Sequence, residues 1–254
     1  MACSTVYDGN PQIIANGGVP SDISRKLRIE GRNTKVSKTN EWVDVWEGAA
    51  DVIPEPSPLG ETLAIRGNNN NDTLGGTGAE KVRVEYLNTS NQLTFKDVDM
   101  NGNNLVITDV TDMTDVIDFY AIQTGSNNTP IDDIQILSTD ENTEYAIIVA
   151  GGNKSQSSLR HLLPNSTFYL TGMLVSSSSK GMEVALRSTS NDSGDVFDDV
   201  YLYQVPLTVE DAPVWIPFNP ALEVPGGAKV KASAKPTASG QHEVSIWING
   251  WVKI

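Results

Sequence analysis

Lys81, Arg83 and Glu85 alternate with Val82, Val84 and Tyr86. Extended backbone sends successive side chains to opposite faces, so this segment is polar on one side and apolar on the other. The same alternation returns along the chain in short runs separated by Gly, Asn, Asp and Ser. A helix would scatter those apolar residues around its circumference, whereas stacked sheets gather them into one layer. The expected fold class is therefore all-β: two β-sandwich, jelly-roll-like modules preceded by an extended N-terminal arm.

The expected boundaries are an arm over 1–40, a β-rich domain over 41–152 and a β-sandwich over 153–254. Asn16-Gly17-Gly18 and Val19-Pro20-Ser21 mark loop in the arm, and Ser21-Asp22-Ile23-Ser24-Arg25 carries the capping pattern of a single helical turn. Trp42, Val43, Val45 and Trp46 suit a strand at a sheet edge, and Pro54, Pro56 and Pro58 then enforce an extended crossing. Residues 62–66 read as a strand, 68–78 as a long Asn and Gly loop, and 81–86 with 93–99 as a hairpin. Further strands are expected at 105–110, 116–123, 131–137 and 145–149. After the small, polar stretch 151–158 come strands at 161–163, 168–175, 183–187, 199–205, 214–218, 229–234 and 244–254. Residues 176–179 read as a hairpin loop, and Pro225-Gly226-Gly227 as a turn.

The formal charge is −14, which disfavours binding to a phosphate backbone, so no nucleic-acid partner is expected. Basic residues nevertheless gather at Arg25, Lys26, Arg28, Arg32, Lys35 and Lys38. They form either a solvated arm or one that docks on an acidic neighbour, such as another copy of this chain. The single cysteine, Cys3, rules out an intrachain disulfide. Residues 1–9 lack the basic start and apolar core of a signal peptide, and no apolar run reaches the ~20 residues that span a bilayer. The expectation is a protein assembled in the cytoplasm, with no membrane partner.

Residues that carry chemistry are sparse. Asp192, Asp195, Asp198 and Asp199 surround Gly194, but their spacing lacks the closing bidentate acid of an EF-hand, so a solvated hairpin tip is the preferred reading over a calcium loop. Asp109, Asp112, Asp115 and Asp118 recur every third residue and read as a solvated edge. His161 and His242 are far apart in sequence, no nucleophile elbow is present, and Gly75-Gly76-Thr77-Gly78 lacks the lysine and helix of a phosphate loop. No catalytic residue, metal site or cofactor is expected. Trp247 and Trp251, four apart on the last strand, share a sheet face and form either packing against a neighbour or a stacking surface for host glycan.

The order of motifs adds a resemblance. Gly31-Arg32-Asn33, Asp44-Val45-Trp46-Glu47-Gly48, residues 61–65, Asn71-Asp72-Thr73, residues 75–79, Val82-Arg83-Val84, Asn101-Gly102 and Gly125-Ser126-Asn127 follow one another. This succession, over residues 31–190, resembles structural virion proteins of tailed bacteriophages, particularly marine podovirus-like phages. The chain departs from that pattern at Leu162-Leu163-Pro164-Asn165, where the family has a proline-rich lead-in. The resemblance implies a virion location and a non-enzymatic role on capsid, neck or fibre. A capsid decoration or cement protein is expected, contacting the major capsid protein or other virion proteins, with homo-trimers favoured by analogy. In that role Arg25, Arg28 and Arg32 would be anchors, with Trp42 and Trp46 packed beneath them. An adsorption protein binding host glycan is the first alternative, and a β-sandwich glycan hydrolase the second.

Overall fold

The computed structural model describes residues 23–37, 41–178, 181–189, 201–207 and 213–253, with 23–26 and 201–207 described as backbone alone. Every regular element among them is a strand: β1 Ile23–Val36, β2 Val43–Asp44, β3 Leu63–Gly67, β4 Ala79–Asn88, β5 Leu93–Asp99, β6 Val106–Ile107, β7 Met113–Thr124 and β8 Ile134–Ser138. There follow β9 Glu144–Ile148, β10 Arg160–His161, β11 Thr167–Ser177, β12 Met182–Ser188, β13 Tyr201–Leu207, β14 Val214–Pro225, β15 Lys229–Pro236 and β16 His242–Lys253. The chain divides into a terminal unit, Met1–Val45 with Ser157–Ile254, and an inserted unit, Trp46–Gln156.

The terminal unit is a sandwich of two antiparallel sheets. One has the order β1-β16-β11-β14; the other has the order β10-β15-β12-β13, with β2 also on β15. Its core draws Ile29 from β1, Val43 from β2, Leu170, Met173 and Val175 from β11, Val184 from β12, Ala232 from β15 and Ile246 and Ile248 from β16. Where an extended arm was expected, residues 23–36 form a full-length strand. Ile29 pairs with Ile248 and Arg32 with Ser245, and no helical turn begins at Ile23. Ile29 and Val36 are each 1% exposed. Burying two such side chains, at about 1.5–3 kcal/mol each, is reason enough for this segment to join the sheet.

β11 and β12, which flank the expected hairpin loop, belong to different sheets: β11 pairs with β14 and β16, and β12 with β13 and β15. The chain crosses between layers there and again at Pro225-Gly226-Gly227, as Greek-key sandwiches do.

β15 is buried on both faces. Val230, Ala232 and Ala234 enter the core, while Lys231 and Ser233 meet Asp44 of β2. Lys231 Nζ and Ser233 Oγ each lie 2.8 Å from an Asp44 carboxylate oxygen, and the Asn33 amide donates to the Asp44 carbonyl at 3.0 Å. The two charged side chains are only 8% and 4% exposed, so the pair stands in a low-dielectric layer.

The inserted unit is a second sandwich, with sheets ordered β6-β3-β8-β9 and β5-β4-β7. Leu63, Ile65, Val82, Val84, Phe119, Ile134 and Ile136 fill its core. The expected hairpin forms between β4 and β5, with Leu87 opposite Leu93 and Val82 opposite Val98. The loop at 68–78 is organised by Asp72, which is fully buried. Its carboxylate accepts backbone N–H groups from Ala79 at 2.8 Å, Ile131 at 3.0 Å and Asp132 at 3.2 Å. Gly78 is required beside it, because a Cβ there would lie 2.1 Å from Asp72 Oδ1.

Candidate binding face

β11 changes face partway along. Phe168 and Leu170 point into the core, then Met173 and Val175 do, so one residue is extra. That residue is Thr171: Leu170 pairs with Gly250 and Gly172 with Asn249, leaving Thr171 without an opposite number on β16. The disruption is larger on β14, where Leu170 pairs with Leu222 and Gly172 with Pro217, so residues 218–221 loop past Thr171. Bulges bend a strand and re-aim its side chains. Here the bulge opens a cleft of about 320 Å³ on the outer face of the β1-β16-β11-β14 sheet.

Trp215, Trp251, Leu27 and Gly250 line this cleft together with the polar groups of Arg28, Asn249 and Thr171. The Thr171 hydroxyl donates to the Asn249 carbonyl at 3.2 Å, tying the bulge to β16. Trp215 lies over Gly172, where a Cβ would come within 2.5 Å of its Cζ2, so only glycine lets the indole settle there. Trp215 is 47% exposed and Trp251 7%. Beyond the cleft on the same face, Trp247 is 41% exposed, with Glu30 and Leu174 as its cross-strand neighbours. The Arg28 guanidinium lies over its ring at 4.2 Å and pairs with Glu30 at 2.5 Å. The guanidinium is thus held from two directions and its charge is matched locally.

The other residues singled out in the sequence lie elsewhere. Arg25 sits in β1 opposite Val252, and its side chain is outside the described atoms. Arg32 donates from Nε to Glu243 at 2.8 Å. Trp42 has Arg187 and Lys235 each 5.1 Å from its ring. Trp46 is buried at 1%, its Nε1 donates to the Ala50 carbonyl at 2.7 Å, and it covers Gly48, where a Cβ would lie 2.1 Å from the ring. The ring beneath Arg28 is therefore Trp247, and Trp46 packs within the inserted unit. Trp215, Asn249 and Thr171 had not been singled out. Trp215 alternates with Val214 and Ile216, which marked it as outward-facing, and the parity break between Leu170 and Met173 marked the bulge.

Of the acidic candidates, Asp109 pairs with Lys96 and Asp118 with Lys154, whereas Asp115 is buried at 4% and so departs from the solvated edge expected of that run. Asp192, Asp195, Asp198, Asp199 and Cys3 fall outside the described residues. His161 lies on β10, and His242 opens β16 with Nε2 3.1 Å from the Ala238 carbonyl.

On the inserted unit, Arg83 forms a two-pronged pair with Asp97 at 2.6 and 2.9 Å and lies 4.0 Å from the Phe95 ring centroid. The hydrogen bonds from Arg83 hold the Asp97 carboxyl below the ordinary carboxylate range. Burial, with the Glu61 carboxylate beside it, pushes the Tyr145 phenol above its ordinary range.

No protein-family model matches this chain. No curated protein matches it. Among solved structures, a crystal structure of the infectious bursal disease virus VP2 subviral particle is similar at 10% identity and TM-score 0.24, over 92% of this chain and 73% of that one. Infectious bursal virus-derived T=1 particles are similar at 12% identity and TM-score 0.23, over 92% and 71%. The Gt strain of the same virus is similar at 11% identity and TM-score 0.20, over 92% and 73%.

Proposed function

We propose that this chain is a non-enzymatic structural component of a tailed-phage virion, a capsid decoration or cement protein that acts through surface contact. The observation that carries this reading is the outer face of the β1-β16-β11-β14 sheet, which keeps Trp215 and Trp247 about half exposed while the opposite face fills the core. Exposed aromatic side chains framed by polar groups mark docking surfaces, and Trp and Arg are the residues that most often dominate binding energy there. The order of turn and strand motifs from Gly31 to Asn127 supports the virion assignment. The net charge of −14 keeps many copies soluble before they dock.

On this reading the partner is the major capsid protein or another virion protein, the chain assembles as a homo-oligomer, and it reaches the particle in the host cytoplasm. Docking to the assembled shell alone stabilises it by mass action. The test is co-sedimentation of the purified chain with particles lacking it, together with the melting temperature of the shell. Attachment and a raised shell melting temperature are expected, and Trp247→Ala should weaken attachment roughly tenfold or more. No co-sedimentation, or full attachment by Trp247→Ala, refutes the reading.

A further inference from the structure

We propose that the cleft at the Thr171 bulge is a binding site for one neutral pyranose ring. The inference goes beyond the structural role and gives the protein a means of adsorbing to a glycan surface. Its first ground is size and form. About 320 Å³ lies at the lower end of the roughly 300–1,000 Å³ that small-ligand pockets occupy, which suits a single ring.

Its second ground is the pairing of lining chemistries. A pyranose has an apolar C–H face and a rim of hydroxyls that both donate and accept. Trp215, about half exposed, offers indole surface to the first, and the largely buried Trp251 lines the cleft beside it. For the second, the Asn249 amide donates and accepts, the Arg28 guanidinium donates, and the Thr171 oxygen accepts while its proton is engaged by the Asn249 carbonyl. A lipid chain would leave these polar groups without partners.

The third ground is charge. Arg28 is already matched by Glu30, and the chain as a whole carries −14, so the cleft offers an acidic sugar or a phosphate no net attraction. The lining comprises guanidinium, amide, hydroxyl, indole and leucine groups without a carboxylate, which suits holding a sugar and not cleaving it.

The cleft is also built into the backbone. The bulge supplies the space, and Gly172 is the residue that lets Trp215 lie down beside it. Phe95, exposed on the inserted unit and outside the lining, serves as an internal control.

The experiment titrates the purified full chain with methyl glycosides of glucose, galactose, mannose and N-acetylglucosamine, alongside glucuronic acid and inorganic phosphate. Binding is read by saturation-transfer NMR and tryptophan fluorescence. Saturable binding of at least one neutral glycoside is expected, with a dissociation constant on the order of millimolar, as befits a ligand with this little contact. Trp215→Ala should weaken it at least about tenfold, Asn249→Ala by about threefold or more, and Phe95→Ala by no more than about twofold. Circular dichroism and the melting temperature check that each variant is folded, and Asn249→Ala decides the matter if Trp215→Ala is not. Failure of every neutral glycoside to bind, tighter binding of glucuronic acid or phosphate, or unchanged affinity in a folded Trp215→Ala or Asn249→Ala variant overturns the proposal. Attachment to particles is measured separately, so loss of either function leaves the other readable.

Discussion

Replacing Lys231 by methionine leaves the buried Asp44 carboxylate, on the face of its sheet away from the apolar core, with its ammonium partner gone. The two groups meet at 2.8 Å with side-chain exposures of 8% and 4%, so water screens the pair little. Removing one member of such a pair costs about 3–5 kcal/mol, because the remaining charge keeps its desolvation penalty without its attraction. At roughly 2–4 °C per kcal/mol for a chain of this size, the melting temperature of the terminal unit should fall by roughly 6–20 °C. Ser233→Ala removes only the hydroxyl bond to Asp44 and should cost about 1.5–3 kcal/mol. Replacing all three polar groups together, as Asp44→Leu, Lys231→Met and Ser233→Ala, should recover most of the loss, since apolar packing of similar volume substitutes well for a buried ion pair. Differential scanning calorimetry and urea unfolding followed by tryptophan emission supply the numbers. A Lys231→Met protein as stable as the parent, or a triple variant that loses the sum of the single costs, would refute the argument.

In the inserted unit, Asp72→Ala leaves the N–H groups of Ala79, Ile131 and Asp132 without their carboxylate, and a loss of at least about 3 kcal/mol is expected in urea unfolding; a loss under about 1 kcal/mol contradicts it. Asp97 is held below its unfolded value of about 3.9, so its contribution is present above about pH 4 and fades as pH falls through the lower folded value. The stability gap between the parent and Asp97→Asn, read as melting temperature from pH 6 to pH 2, should therefore narrow on acidification, and a gap independent of pH refutes this. Gly172→Ala should displace Trp215 and cost about 1–3 kcal/mol; a Trp215→Ala background should relieve the part due to the indole but not the part due to the Ile216 carbonyl, 2.7 Å from the new Cβ, and fully additive costs in a double-mutant cycle would show that the indole does not meet residue 172.

Much of the strand pattern was legible because alternation is local. β5 falls at the expected residues, 93–99, and β4 extends the run 81–86 by a turn of the pleat at each end. The role of residues 23–36 was harder to see. Arg28, Glu30 and Arg32 alternate with Leu27, Ile29 and Gly31, yet the charges read as a basic arm because the strand that accepts this segment, β16, lies more than 200 residues away. No local signal specifies so distant a partner. The crossing after β11 was read as a hairpin for the same reason: a polar loop between two strands looks alike whether it joins neighbours or changes layer. On the binding face, Trp247 and Trp251 could be placed on one side of β16 by counting, but their different depths could not, because alternation fixes the face of a side chain and not what covers it. The expected place of Trp46 is beneath the arginine anchors, whereas its indole covers Gly48 and donates to the Ala50 carbonyl.

Docking through the outer face of the β1-β16-β11-β14 sheet is tested by hydrogen–deuterium exchange of the chain free and bound to particles. Slowed exchange is expected in residues 27–32, 213–217 and 243–251, the segments that carry Arg28, Trp215 and Trp247. Slowed exchange confined to the inserted unit, with those three segments unchanged, would contradict it.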